Sequence, residues 1–230
     1  MSRHRDHGGG LDAAVARFGG EKSDWIDLST GINPTAYLIG EMPPSAWETL
    51  PDAAAQDSLI QAARAYWNVP RGASILAAPG ASALIARLPA LWPKARVEIR
   101  TPTYNEHAAA FEAHGWTLDG TDPSVQVAVQ RHIERVTDGR TIVLKSFGKF
   151  WGLAGLRLGF AIGAPEWINR LSTLAGPWAV SGPALAIGTR ALNDPDWALQ
   201  TRINLAQSSA RMDDLMQNKG AKLIGGTDLF

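Results

Sequence analysis

The sequence predicts an α/β protein whose mainly parallel sheet is sandwiched by helices. Short apolar segments typical of strands alternate with longer segments of helical periodicity through the middle of the chain. Glycine or proline marks nearly every boundary between them. The chain has 230 residues, of which 45% are hydrophobic, so it can bury a sizeable core. Ligands of an open parallel sheet bind at the carboxyl ends of its strands, and functional residues are expected there.

The first hundred residues predict three helices and three strands. Apolar spacing and stop signals such as Gly19-Gly20 define the helices, and short β-prone runs define the strands. The helices are expected at residues 11–18, 54–67 and 81–91, and the strands at 25–28, 74–78 and 96–99.

The same alternation continues to the middle of the chain and then gives way to helix. A helix at 105–114 closes at Gly115, and strands are expected at 117–118, 125–129, 141–144 and 158–162. From Pro165 onward the pattern is mainly helical. The uncharged stretch 171–189 is interrupted by proline and glycine, so it does not predict a membrane span.

The composition favours a small-molecule enzyme in the cytoplasm. Lysine plus arginine and aspartate plus glutamate both number 22, so no net field attracts nucleic acid or an anionic membrane. There are no cysteines, which excludes disulfides and thiolate nucleophiles and agrees with a reducing compartment. No secretory signal is visible, and the histidines lack the accompanying ligands of a zinc site, so no metal is expected.

Lys149 is the first candidate catalytic residue. It follows the predicted strand 141–144 in a loop, among Phe147, Phe150 and Trp151. Partial desolvation by these rings would disfavour the charged amine and make it a nucleophile toward an aldehyde. Taken alone, such a lysine is more often an ordinary surface residue.

Five further residues suggest a receptor for a phosphate monoester. Arg157 lies downstream of Ser146 in the lysine loop, and a guanidinium with a hydroxyl suits a phosphate. Gly80, Ala81 and Ser82 lie between a strand and a helix, where free backbone amides face an anion. Singly, a salt-bridge arginine or a tight turn is the commoner explanation. The combination with Lys149 favours a phosphorylated cofactor.

The run Ser-Phe-Gly-Lys-Phe-Trp-Gly-Leu-Ala-Gly-Leu-Arg-Leu-Gly at 146–159 resembles the cofactor-lysine signature of class I/II aminotransferase-like, fold-type I pyridoxal phosphate enzymes. Within that superfamily, three further segments resemble the threonine-phosphate decarboxylases of cobalamin biosynthesis. They are His7-Gly8-Gly9, the run Ser-Thr-Gly-Ile-Asn-Pro at 29–34 and the run Pro-Trp-Ala-Val-Ser-Gly-Pro at 177–183. Histidinol-phosphate aminotransferases are the nearest alternative.

The resemblance implies roles for individual residues and a cofactor. Lys149 would bind pyridoxal 5'-phosphate as a Schiff base, and Tyr104 would stack on its ring. His7, Gly31 and Asn33 would line the substrate entrance and meet a small phosphorylated amino acid. For His7 and Asn33, a polar chain end and a local turn are nearly as good an explanation. Relatives build the site across two subunits, which implies a homodimer.

The sequence departs from the family pattern between the strands near 125 and 141. The family has there an asparagine-containing loop and an aspartate that pairs with the pyridine nitrogen, whereas Val129 is followed directly by Gln130. Losing such a partner costs roughly 3 kcal/mol, or about a hundredfold in rate. Relatives also continue beyond residue 230 and supply an arginine for the substrate carboxylate.

The expected organisation therefore has three parts. Residues 1–40 form an N-terminal arm and part of the small domain, and 41–176 form the large cofactor domain, without a segment expected near 129–130. Residues 177–230 form connecting helices and the start of a truncated, incomplete small domain. The predicted activity is decarboxylation of L-threonine O-3-phosphate. A histidinol-phosphate-type aminotransferase and a catalytically silent remnant of the fold remain open alternatives.

Overall fold

A computed structural model describes residues 7–127 and 133–229 and has the expected α/β fold. The end of the predicted strand 125–129 and the junction at 129–130 lie outside the described residues. The helices are α1 (Leu11–Phe18), α2 (Ser45–Glu48), α3 (Ala53–Tyr66), α4 (Ala81–Ile85), α5 (Glu106–Ala113), α6 (Pro165–Ala175), α7 (Gly182–Leu192) and α8 (Pro195–Gln217). The strands are β1 (Ser74–Ala78), β2 (Arg96–Ile99), β3 (Thr117–Leu118), β4 (Val125–Val127), β5 (Ile142–Ser146) and β6 (Gly159–Gly163).

The longer helices begin at the capping residues that their sequences provide. Asp52 accepts a hydrogen bond from the Ala55 N–H at 2.8 Å and starts α3. Asp194 accepts a hydrogen bond from the Trp197 N–H at 3.0 Å and starts α8. Proline in the first turn of α6, α7 and α8 costs no hydrogen bond, because those N–H groups have no partner within the helix.

The described strands form two three-stranded sheets. The first has the order β3-β2-β4 and is parallel throughout. The second has the order β1-β6-β5, and β6 is antiparallel to both of its neighbours. Strands β1 and β5 therefore run in the same direction on either side of β6. The expected α/β architecture with parallel strands is confirmed, and β6 is the strand that runs antiparallel to its neighbours.

Two other predicted elements differ from the structure. The helix expected at 81–91 ends at Ile85 and resumes as a 3₁₀ turn at Leu88–Leu91, since Pro89 has no N–H to continue the α-helical pattern. The strand expected at 25–28 is absent, and Ile26 and Leu28 are 84% and 87% exposed. That segment has the β-prone composition of a strand, but in the described ranges no strand lies beside it to pair with.

Aromatic side chains fill the core on the side of the β1-β6-β5 sheet where α3 and α7 lie. Phe147 and Trp151 are buried and stack with ring centroids 5.1 Å apart. Trp151 stacks in turn on Trp197 at 5.0 Å, and Tyr37 packs edge-on against both tryptophans. These contacts anchor the loop after β5 at two points that flank Lys149.

Candidate active site

The loop after β5 carries Lys149 on its outer side. Phe147 and Trp151 point into the core, whereas Lys149 itself is exposed. No carboxylate among the described residues pairs with its amine. The expected desolvation of this lysine by its aromatic neighbours is therefore wrong for this structure, because two of those rings are directed away from the amine into the core.

Asn33 holds the backbone of the lysine loop. Its side chain is only 4% exposed, and its Nδ2 donates to the Phe150 carbonyl at 2.9 Å. Its Oδ1 accepts from the N–H of Thr35 at 3.0 Å, and its own N–H donates to the Lys149 carbonyl at 3.1 Å. Asn33 thus lies beneath the loop and is engaged by backbone groups of the protein.

Gly152 permits this close approach. Its φ of +66° is in the left-handed region, and a Cβ at this position would lie 2.7 Å from the Cα of Ala36. The Gly152 N–H also donates to the Lys149 carbonyl at 3.0 Å. The Lys149 carbonyl therefore accepts two hydrogen bonds, which fix the backbone from which the exposed amine extends.

Arg157 and Gly80 form a cradle beside this loop. Arg157 has left-handed backbone geometry with φ 52°, and its Nη1 donates to the Ala154 carbonyl at 3.2 Å. Its Nη2 lies 2.8 Å from the point where a Cβ on Gly80 would stand. Only glycine leaves room for the guanidinium beside the turn that begins α4. In the described part of the chain no carboxylate pairs with Arg157.

The other predicted phosphate ligands lie on the elements that border this cradle. Ser82 is exposed in the first turn of α4, and Ala81 is half-buried before it. Ser146 is exposed at the end of β5, and its Oγ accepts the Gly148 N–H at 3.2 Å. The hydroxyl of Ser146 keeps its own proton available for donation to an anion.

Gly159 brings β6 against the same turn. A Cβ on Gly159 would overlap the amide nitrogen of Ala81 and lie 2.6 Å from the carbonyl carbon of Gly80. The backbones of β6 and of the turn before α4 are therefore in direct contact, which sets Arg157, two residues upstream, at the turn.

Tyr104 and His7 form a second group of predicted site residues. Tyr104 is 47% exposed just before α5, and its ring centroid is 6.1 Å from that of His7. His7 Nε2 lies 3.2 Å from the Oε1 of Glu106, in the first turn of α5. Sequence reasoning missed Glu106, although it stands only two residues after Tyr104.

A short polar relay positions the His7 segment. The Gly9 N–H donates to the Ser29 Oγ at 2.7 Å, and Ser29 donates both its N–H and its O–H to Asp27. These bonds from Ser29 lower the pKa of the Asp27 carboxyl, because they stabilise the carboxylate. Half-buried Gly31 lies two residues further on, in the segment that leads to Asn33. Residues 7–9 and 29–33 therefore extend from Tyr104 to the lysine loop.

A cavity of about 750 Å³ lies between the two sheets. Its walls include Ala81, Thr103, His107, residues 124–127 of the β4 region and residues 141–144 of the β5 region. Nδ1 of His107 is buried and has no hydrogen-bond partner among the described residues. Burial lowers the pKa of His107, since the imidazolium loses solvation. In the sequence, His107 belongs to none of the motifs that indicate the site.

The described wall of this cavity contains no carboxylate. Over residues 7–127 and 133–229, no three histidine or acidic side chains cluster to hold a metal ion. Nor does any helix in these ranges have the length and apolarity to cross a membrane.

Comparison with known proteins first defines the class. A family model described as aminotransferase class I and II matches residues 112–229, about half of the chain. A solved L-threonine-O-3-phosphate decarboxylase from Porphyromonas gingivalis has the same fold, with a TM-score of 0.56 and 16% identity over 73% of this chain and 70% of its own. The protein is thus an α/β protein of the class I and II aminotransferase type.

Two curated relatives define the family within that class. A threonine-phosphate decarboxylase from Sinorhizobium sp is 34% identical and is aligned with all of this chain and 84% of its own length. One from Pseudomonas aeruginosa is 32% identical over 98% of this chain and 82% of its own. The chain belongs to the threonine-phosphate decarboxylase family.

The first alignment also includes positions that this chain lacks. It extends over 283 positions and includes the whole chain of 230 residues, so at least 53 positions have no counterpart here. Because every residue of the chain is within the aligned region, these positions fall between residues of the chain. The relatives therefore contain additional polypeptide inside the region that this chain shares with them.

Proposed function

We propose that this protein uses pyridoxal 5'-phosphate to decarboxylate L-threonine O-3-phosphate, giving (R)-1-aminopropan-2-yl phosphate for cobalamin biosynthesis. The observation that carries the proposal is the exposed, backbone-anchored Lys149 in the same β5–β6 connection as Arg157. This arrangement occurs in a chain whose curated relatives include two threonine-phosphate decarboxylases that match nearly all of it.

The residues present fit the phosphate and the aldehyde of the cofactor. A Cβ on residue 80 would fill the space that the Arg157 guanidinium occupies beside Gly80. Among the described residues, no carboxylate pairs with this guanidinium. A phosphate monoester matches the charge and the hydrogen-bonding geometry of such an arginine. Ser146 and Ser82 would add hydroxyl donors to the same group.

Lys149 would have two tasks. Its Nζ would hold the cofactor aldehyde covalently until the substrate amine replaces it. The released amine would take up the proton of the incoming substrate ammonium and would deliver a proton to Cα of the substrate after carbon dioxide has left. Both tasks need a fixed backbone and a movable side chain, and the two hydrogen bonds to the Lys149 carbonyl supply that combination. The bound cofactor supplies the electron sink that accepts the electron pair left by carbon dioxide.

Tyr104, His7, Gly31 and Asn33 would shape the space around the ring and the substrate. The half-exposed ring of Tyr104 has a face available for stacking, and the His7–Glu106 pair holds the N-terminal segment beside it. Asn33 would act through the lysine loop, because its side chain is occupied by backbone partners. Gly31 would be part of the segment that joins these two groups.

We further propose that the protein forms a homodimer in the cytoplasm. The exposure of Ile26, Leu28 and Leu38, each above 80%, supports an apolar surface that a second copy covers. The absence of cysteine supports a reducing compartment. Sedimentation of the purified chain over a range of concentrations tests the dimer, and a monomer at all of them would contradict it.

Incubation with pyridoxal phosphate and threonine phosphate tests the activity. The expected result is release of carbon dioxide without formation of a 2-oxo acid, at a rate about a hundredfold below that of the relatives, because the sequence lacks the family's aspartate between the strands near 125 and 141. Strict dependence on 2-oxoglutarate would instead establish the aminotransferase alternative.

Two variants separate the lysine's chemistry from general loss of structure. Lys149→Ala should abolish carbon dioxide release, while Lys94→Ala, which removes an exposed lysine of a different loop, should leave it unchanged. Borohydride reduction followed by peptide mapping should fix the cofactor on Lys149. A folded protein that takes up no cofactor would support the silent remnant.

A further inference from the structure

The two sheets end on strands that face a common cavity. Within residues 7–127 and 133–229, β4 pairs only with β2, and β5 pairs only with β6. The 750 Å³ cavity is lined by residues 124–127 on one side and by 141–144 on the other. Each sheet therefore presents one unpaired edge to the same space, which we call the intersheet cleft.

The backbone groups at both edges are directed into the cleft. In an antiparallel pair, every second residue directs its backbone N–H and C=O to the partner strand. The Phe147 N–H donates to the Leu158 carbonyl, so the N–H and C=O groups of Ile142 and Leu144, at the alternate positions, point away from β6. The Arg100 N–H donates to the Val127 carbonyl, so the backbone groups of Gln126 point away from β2 by the same alternation. Both edges thus offer donors and acceptors to one inserted strand.

The size of the intersheet cleft corresponds to a short strand. A strand within a sheet occupies about 4.8 Å in width, about 10 Å in depth and about 3.3 Å in length per residue, or roughly 160 Å³ per residue. The observed 750 Å³ therefore accommodates about five residues. The wall has apolar side chains from both sheets and the neighbouring helices: Ile85, Leu88, Trp92, Phe111, Val125, Val127, Ile142, Leu144 and Trp167. Its polar residues include Gln126, Arg135 and Arg140.

We propose that the intersheet cleft binds an extended, apolar peptide segment of about five residues as an added β-strand. Two observations favour polypeptide as the occupant. The edges match a peptide backbone, and the relative from Sinorhizobium has at least 53 positions that this chain lacks. The buried Nδ1 of His107 in the cleft wall also has no hydrogen-bond partner among the described residues, and an occupant could supply one. This inference goes beyond the proposed function and needs no cofactor.

A labelled peptide tests the proposal on the full chain. The probe is an acetylated, amidated peptide with the core Thr-Val-Ile-Val-Val between terminal lysines, carrying ¹³C at its carbonyl groups. Binding should raise the denaturation temperature of the protein and give an isotope-shifted β-sheet amide I band. Two N-methylated versions, each blocking one alternate set of peptide N–H groups, should both bind at least tenfold more weakly, because both edges are used. If either N-methylated peptide binds as tightly as the unmodified peptide, insertion between two strands is overturned.

Protein variants place the peptide in the intersheet cleft. Gln126→Pro removes the backbone N–H of residue 126, which faces the cleft, and leaves the hydrogen bonds between β4 and β2 in place. This variant should bind the peptide about fivefold more weakly or worse. Gln126→Thr keeps that N–H and should bind as the wild type does. Wild-type affinity in a folded Gln126→Pro protein would overturn the proposal. If the protein dimerises without peptide and Gln126→Pro abolishes the dimer, the peptide proposal is overturned, because a second copy of the chain then occupies the intersheet cleft.

Discussion

Replacing Asn33 by alanine should destabilise the lysine loop more than the rest of the protein. The side chain makes two hydrogen bonds, to the Phe150 carbonyl at 2.9 Å and from the Thr35 N–H at 3.0 Å, at a site that is 4% exposed. Each bond contributes about 1 kcal/mol, and the groups left without a partner add to the loss. The expected loss of unfolding free energy is about 2–3 kcal/mol.

Thermal and urea denaturation measure the size of this effect. For a chain of this length, the loss corresponds to a fall in the denaturation temperature of roughly 4–12 °C. Hydrogen exchange measured by mass spectrometry locates it: the Gly152 N–H, which donates to the Lys149 carbonyl, should exchange faster, while the amides of β6 change less.

A matched control is Asn204→Ala, which removes an exposed asparagine from α8. Its expected effect is below about 0.5 kcal/mol. The role assigned to Asn33 is refuted if Asn33→Ala is as mild as this control, or if exchange increases evenly over the molecule instead of in the loop that carries Lys149.

Three further substitutions test other contacts of the fold. Tyr37→Phe should lower the free energy of unfolding by about 1 kcal/mol near neutral pH, because it removes the hydrogen bond to Asp194. Burial raises the pKa of Tyr37 in the folded protein, so above pH 10.0 the phenol ionises in the unfolded state first, and the difference in stability between wild type and variant should become smaller. Denaturation measured as a function of pH checks this. His107→Phe should make the stability of the protein less sensitive to acid. Burial lowers the pKa of His107 in the folded protein, so the wild type loses stability as the pH falls below 6.5. An acid transition that is the same in the variant and the wild type would contradict this. Gly159→Ala should cost about 1–3 kcal/mol by collision with the turn before α4, whereas Gly155→Ala, with open space around it, should be nearly neutral in the same urea titration.

Local sequence signals determined most of the elements and the position of the lysine loop. The bounds of β1 and β2 agree with the prediction to the residue, since short β-prone runs between glycine or proline signals need no distant information. The motif around Lys149 likewise identified the family, because its residues are contiguous in the chain. Periodicity failed where a partner was needed, as for residues 25–28.

Only the tertiary structure decided how the site residues are used. Asn33 and Phe150 are 117 positions apart, and no local pattern indicates that one holds the other. The pairing of His7 with Glu106 and the fit of Arg157 beside Gly80 also join distant segments. The sequence by itself specified which residue types were available and in which elements. Chain folding specified which of them meet, because contacts between distant segments depend on how helices and sheets pack rather than on neighbouring residues.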